Sequence, residues 1–202
     1  MLLSFAVALI VIMNPIGNLA IYSALIENRN TEECNKTAKT CAIAIFSILM
    51  IALWIGWPIL NFFGISIGAF EFAGSLIILR IALSMIKGHS HTHDKEKTKQ
   101  LKYPSIAVVP MATPVIAGPG SMVVIISHAN EFTITQFIYA SVICLIISVF
   151  FWLLLKFTPK FASHIGDETM AVISRIMGLI LAAIAIQMAA SGLILLFPVL
   201  GS

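Results

Sequence analysis

The sequence predicts an all-α integral membrane protein: six transmembrane helices in two inverted three-helix repeats, with helices 1 and 4 broken near mid-membrane. Three observations carry that prediction. Of 202 residues, 59% are hydrophobic and only 10% charged, with a mean hydropathy of +1.02, whereas a soluble domain carries roughly 25% charged residues. Six apolar runs each approach or exceed the roughly 20 residues a helix needs to cross a bilayer. Finally, interrupted spans and glycine-bearing spans recur in one register, 104 residues apart (119 − 15 for the prolines, 178 − 74 for the glycines).

The first run, Leu2–Ile26, holds Met13-Asn14-Pro15-Ile16-Gly17-Asn18 at its centre. Pro15 removes a backbone donor and clashes with the preceding turn, and Gly17 lowers the cost of leaving helical geometry. Two asparagines flank the break, where a lipid-facing helix would carry none. Irregular backbone at membrane depth needs cover from protein or from a water-filled cavity, so the break is a packed kink or a binding site. The N-terminus has no basic n-region and runs into this span, so a cleaved signal peptide is not expected.

The second run, Ala38–Phe63, ends near Trp54, Trp57 and Pro58, an interfacial aromatic anchor. A Gly64-Ile65-Ser66 turn joins it to the third run, Ile67–Ile86, as a tight helical hairpin. The polar segment 88–103 follows as a linker between a first repeat (1–87) and a second (104–202), all within one membrane domain. His89, His91 and His93 alternate in that linker and could hold a divalent cation if the strand curled around it. They lack a second ligand cluster, so a solvated linker is the reading adopted and no metal is assigned.

The fourth run, Tyr103–Ala129, carries Ala117-Gly118-Pro119-Gly120-Ser121, a second interruption in the register of the first. Pro110 and Pro114 loosen the approach to it. The fifth and sixth runs are Thr135–Phe157 and Met170–Pro198. Three spans per repeat force the second repeat to enter from the opposite side. Paired Gly/Pro interruptions in inverted halves are the best sequence pointer to a transporter's central site.

Charge sets the orientation. Arg29, Lys36 and Lys39, the five basic residues Lys87, Lys95, Lys97, Lys99 and Lys102, and then Lys156 and Lys160 belong to the odd-numbered loops. The other side has neither Lys nor Arg. The positive-inside rule puts those loops in the cytoplasm and both termini outside it. The same rule accounts for the basic residues without a nucleic-acid partner. Cys34, Cys41 and Cys144 form no CxxC pair and no metal-ligand spacing, and Cys144 reads as a small hydrophobe.

If each break splits its helix, the second half-helices start near Gly17-Asn18 and Gly120-Ser121, with unpaired amides and a positive dipole end. Such ends stabilise an anion without a charged side chain. Asn14, Pro15, Gly17, Asn18, Thr113, Gly118, Pro119, Gly120 and Ser121 are therefore the candidate substrate site. The amides of Gly17, Asn18, Gly120 and Ser121 would hold a carboxylate. Asn14 or Thr113, with freed carbonyls, would hold an ammonium group. The bland alternative is a pair of packing kinks, since Pro and Gly are common in membrane helices.

Glu71, Arg175 and His128 are candidates for gating or proton coupling, with Glu71 and Arg175 at repeat-equivalent positions. Arg175 and Arg80 can instead snorkel to the interface, and His128 can serve as an interfacial residue. Gln187 lies deep in the sixth run and is expected to bond across helices. An enzyme is not expected: Asp94 and Asp167 are placed in loops, and no HExxH, GxSxG or CxxC occurs.

The Asn14-Pro15-Ile16-Gly17-Asn18 and Ala117-Gly118-Pro119-Gly120 segments, with the Gly74 and Gly178 segments closing each half, resemble the MarC family. That group of six-span inner-membrane proteins, also called UPF0056, is placed near the LysE exporters, and the resemblance covers essentially the whole chain. It implies an integral plasma (inner) membrane protein. For the branch with assigned activity it implies transport of small neutral amino acids such as glycine or alanine, coupled to an ion gradient. The expected function is secondary transport of such a zwitterion by alternating access, with H+ or Na+ as coupling ion and no cofactor. The alternative is a non-transporting membrane protein with a regulatory or partner-binding role. Glycine-rich faces would permit a homodimer but equally serve packing within one chain.

Overall fold

The computed structural model describes residues 1–26, 29–87, 116–162 and 167–201. Those residues form seven α-helices and a short 3-10 turn, and contain no strand: α1 Leu2–Met13, α2 Pro15–Ile26, α3 Thr31–Phe62, α4 Ile67–Ile86, α5 Pro119–Ala129, α6 Ile134–Ala162, α7 Asp167–Leu196 and the turn Pro198–Gly201. Five stretches are long and apolar enough to cross a membrane: Leu2–Leu19, Thr31–Phe62, Ile67–Ile86, Ile134–Pro159 and Ala171–Leu196. The shorter apolar helix Pro119–Ala129 joins them. The first half of the fourth apolar run, Thr113 and the histidine-bearing linker lie outside the described residues.

Helix boundaries follow local chemistry. Asn30 caps α3, its Oδ1 accepting from the Glu33 amide at 2.8 Å, and Glu32 and Glu33 occupy the first turn where the dipole favours acids. The helix therefore begins seven residues before the apolar run does. At its other end the Gly64 amide donates to Asn61 O (3.1 Å) and the Ile65 amide to Leu60 O (2.9 Å), with Gly64 at φ 65°. That pairing closes a helix around a left-handed residue, as the tight-hairpin reading requires. Ser66 then caps α4 by accepting from the Ala69 amide at 3.2 Å. Asp167, read from sequence as a loop residue, instead opens α7. Asn30→Ala should lower stability by about 1 kcal/mol, measured as a shift in the unfolding midpoint of detergent-purified protein.

The larger core cluster joins α1, α3, α5 and α6. Phe5, Leu9 and Met13 of α1, Ile45, Leu49 and Leu53 of α3, Ile125 of α5 and Cys144, Ile147, Phe151 and Leu155 of α6 are all buried within it. All three cysteines are buried and free, in keeping with the reading of Cys144 as a small hydrophobe. The buried Tyr22 hydroxyl donates to Cys34 O at 2.9 Å, tying α2 to the start of α3. Helices α3 and α6 pack together, as do α4 and α7.

The α4–α7 seam is close. A Cβ on Gly68 would sit 2.9 Å from the Gly192 carbonyl oxygen, and one on Gly192 would sit 2.8 Å from that of Gly68. Small residues let membrane helices approach backbone to backbone. A second cluster, Ile78 and Ala82 with Leu181 and Ala185, fills the middle of the same seam. Gly74 and Gly178, although 104 residues apart, have different neighbours. Gly74 faces Val123 of α5, whereas Gly178 faces the Ala82 carbonyl and Met85 of α4.

Candidate functional site

The first break falls at Asn14. This residue is left-handed (φ 45°, ψ 69°), and its amide donates to Ile10 O and Val11 O, both at 3.1 Å. Two forces select that conformation. Pro15 disfavours right-handed helix in the residue before it, and asparagine tolerates the left-handed region better than other non-glycine residues. Pro15 then occupies the first position of α2. The sequence reading gave Gly17 the task of leaving helical geometry; Asn14 performs it. Gly17 is needed for space, because a Cβ there would collide with the Asn14 carboxamide.

That carboxamide caps α2. Asn14 Oδ1 accepts from the Gly17 amide at 3.2 Å, and the Asn14 carbonyl accepts from the Asn18 amide at 3.2 Å. On the other side, Asn14 Nδ2 contacts Met85 Sδ at 3.6 Å, and Asn18 Nδ2 donates to Met13 O at 2.6 Å. Both asparagines are buried, at 7% and 3% exposure. The expectation that Gly17 and Asn18 present open amides is therefore corrected for this conformation. Helix α2 begins at Pro15, two residues earlier than expected, and both amides already have acceptors.

The second interruption is built differently. Gly118, the residue before Pro119, is extended (φ −98°, ψ −172°) and caps α5 without a side-chain acceptor. Pro119 opens the helix. Ser121 Oγ donates to Gly118 O at 2.8 Å, and the Met122 amide donates to the same oxygen at 3.2 Å. Gly118, Gly120 and Ser121 are buried. Among the described residues no side chain caps the Gly120 and Ser121 amides. A buried helix end without a side-chain cap must satisfy its donors with backbone, water or ligand.

Helix α4 and the end of α1 hold the two breaks together. Met85 touches Asn14, while a Cβ on Gly120 would lie 3.0 Å from Ile78 Cδ1 and 3.1 Å from Ile12 Cγ2. Ile78 and Met85 are two helical turns apart, roughly 10 Å along α4. Ile12 stands two residues before Asn14. Sequence reasoning missed Ile12, Ile78 and Met85, because ordinary apolar residues carry no local signal of what they pack against. Two surface hollows, of about 500 and 250 Å³, have no described residue of either break in their walls. Gly17 and Gly120 are closely packed in this conformation.

The comparisons agree with the architecture. A family model for MarC family integral membrane proteins matches residues 1–197. The chain belongs to the MarC family. It is 33% identical to the UPF0056 membrane protein BU267 of Buchnera aphidicola over 200 residues, covering 97% of this chain and 93% of that protein. It is 30% identical to the UPF0056 membrane protein YhcE of Escherichia coli K12, with 96% and 92% covered. The UPF0056 inner membrane protein MarC of Salmonella typhimurium is 31% identical, with 93% and 91% covered. No solved structure matches the chain.

In this MarC-family chain the candidate coupling residues lie on α4 (Glu71), α5 (His128) and α7 (Arg175). Glu71 is half-exposed and has no ion-pair partner among the described residues. Fourteen residues separate it from Met85, on the order of 20 Å along α4. Arg175 is exposed. Gln187 is exposed on α7, not bonded across helices as expected. His128, at the end of α5, is half-buried, its Nδ1 2.9 Å from Val124 O. Its ring stacks at an angle on Phe5 (5.6 Å between centroids), and Phe132, Phe137 and Trp54 extend that aromatic cluster across α1, α6 and α3. His128 is thus built into the wall that covers one end of α1. The described residues contain no grouping of three His, Cys, Asp or Glu side chains suited to a metal.

Proposed function

We propose that this MarC-family protein is a secondary transporter of a small neutral amino acid, of the size of glycine or alanine, working by alternating access in the inner membrane. The buried start of α5, with its glycine cap and no side-chain acceptor among the described residues, is the observation that carries the reading. The Gly120 and Ser121 amides and the helix dipole favour an anionic group there without a basic side chain. A carboxylate fits that demand. Asn14 Oδ1, Thr113 and Oγ of Ser121 are the neutral partners proposed for an ammonium group, and a substrate that engages Asn14 would release the Gly17 amide from its cap.

Residues 1–87 and 104–202 act as inverted repeats joined by the linker 88–103, with both termini outside the cytoplasm. The pairing of α3 with α6 and of α4 with α7, each joining equivalent spans, supports that arrangement. Rocking of one repeat on the other would loosen the contacts of Gly120 with Ile12 and Ile78 and open the site. Glu71, Arg175 and His128 remain the candidates for gating or for coupling to H+ or Na+; no catalytic chemistry is assigned.

A non-transporting, partner-binding role is the second reading, favoured by the close packing at Gly17 and Gly120. Proteoliposomes separate the two. Purified protein should catalyse saturable counterflow of labelled glycine or alanine, several-fold above protein-free vesicles. Absence of counterflow for every small neutral amino acid would favour the second reading.

A further inference from the structure

At the end of α3 and α6 that carries the basic residues, a hollow of about 250 Å³ is lined by Asn35, Lys36, Lys39, Trp152 and Lys156. Helix periodicity explains why these residues converge. Asn35, Lys36 and Lys39 are neighbours on one face of α3, and Trp152 and Lys156, four apart, share a face of α6. Lys156 Nζ lies 5.1 Å from the centroid of the Trp152 ring, so the ring orients its ammonium group. Among the described residues three ammonium groups line the hollow, one of them (Lys36) already ion-paired, and no carboxylate does. Glu32, paired with Lys36 at 2.6 Å, and Glu33, 4.0 Å from Arg29, stand outside it.

The geometry points to a binding site for an anionic phosphodiester, supplied by the headgroup of an acidic lipid. The hollow holds about eight water volumes, enough for a headgroup but not for an acyl chain. Toward the membrane centre the same helices expose Ile43 on α3 and Leu153 and Val149 on α6, a wall suited to acyl chains. A tryptophan with lysines beside it is the composition that sits at the headgroup level of a bilayer. The Asn35 carboxamide adds a neutral donor. Basic pockets between membrane helices recognise acidic headgroups by this combination of charge and shape. The site bridges α3 and α6, so an occupying lipid would clamp the two helices.

Native mass spectrometry of the detergent-purified full chain tests this, using dioleoylphosphatidylglycerol, dioleoylphosphatidylcholine and inorganic phosphate as probes. Phosphatidylglycerol should be retained over phosphatidylcholine, which has the same phosphate but a compensating ammonium. The preference should weaken roughly thirtyfold in a Lys39→Gln/Lys156→Gln double variant and survive in Lys39→Arg/Lys156→Arg. Equal retention of the two lipids, or an unchanged preference in the glutamine variant, overturns the site. Displacement of bound phosphatidylglycerol by millimolar inorganic phosphate overturns the assignment to lipid.

Discussion

Replacing Asn14 by alanine should abolish glycine counterflow while leaving a folded protein, and Asn14→Gly should separate the two tasks of this residue. Alanine loses both the left-handed backbone and the cap. The first costs about 1–2 kcal/mol, and loss of the cap costs about 1 kcal/mol more. Glycine keeps the backbone geometry without strain but still removes the oxygen that holds the Gly17 amide and, on the proposed mechanism, the substrate ammonium. Asn14→Gly is therefore expected to unfold near the wild-type midpoint, with transport reduced at least tenfold. Thermal unfolding and counterflow on the same preparations check both statements. Undiminished transport in Asn14→Ala would remove Asn14 from the site.

The second large effect is structural. Gly68→Leu or Gly192→Leu should break the α4–α7 seam. Each new Cβ meets backbone on the opposite helix at under 3.0 Å, and backbone cannot rotate aside as a side chain can. Overpacking typically costs about 1–3 kcal/mol, and a leucine here is expected at or above the top of that range. Its signature would be a lowered unfolding midpoint together with loss of monodisperse protein. Gly64→Ala provides a contrast. No atom lies within 4 Å of its added Cβ, so only the strain of φ 65° is felt, on the order of 1 kcal/mol.

What the sequence discloses and what it withholds divide along physical lines. The spans are legible because lipid imposes long apolar runs, and the α3–α4 hairpin because Gly64 and Ser66 are the residues that a left-handed helix end and an N-cap demand. The place of the first break is legible from Pro15, but its mechanism is not. The residue before a proline is pushed out of the helix, and whether it turns left-handed, as Asn14 does, or extended, as Gly118 does, depends on what surrounds it. Satisfaction of the Gly17 and Asn18 amides by Asn14 is likewise a three-dimensional outcome. Asn14 and Gly118, 104 residues apart, each stand just before a helix-opening proline. That spacing does not foretell that the first cap has a side chain and the second, among the described residues, has none. Nor does it reveal that Met85 and Ile78 fasten both breaks to α4, or that Gln187 faces outward.

The central claim is that the uncapped, buried start of α5 recognises a carboxylate. Its most direct test is titration of purified protein with glycine and with glycinamide, which keeps the ammonium group and replaces the carboxylate by a neutral amide. Charge-assisted hydrogen bonds of about 1.5–3 kcal/mol predict that glycine binds at least tenfold more tightly than glycinamide. They also predict that Gly120→Val, which crowds Ile78 and Ile12, loses glycine binding. Equal affinity for the two ligands, or glycine binding unaltered by Gly120→Val, would contradict the account.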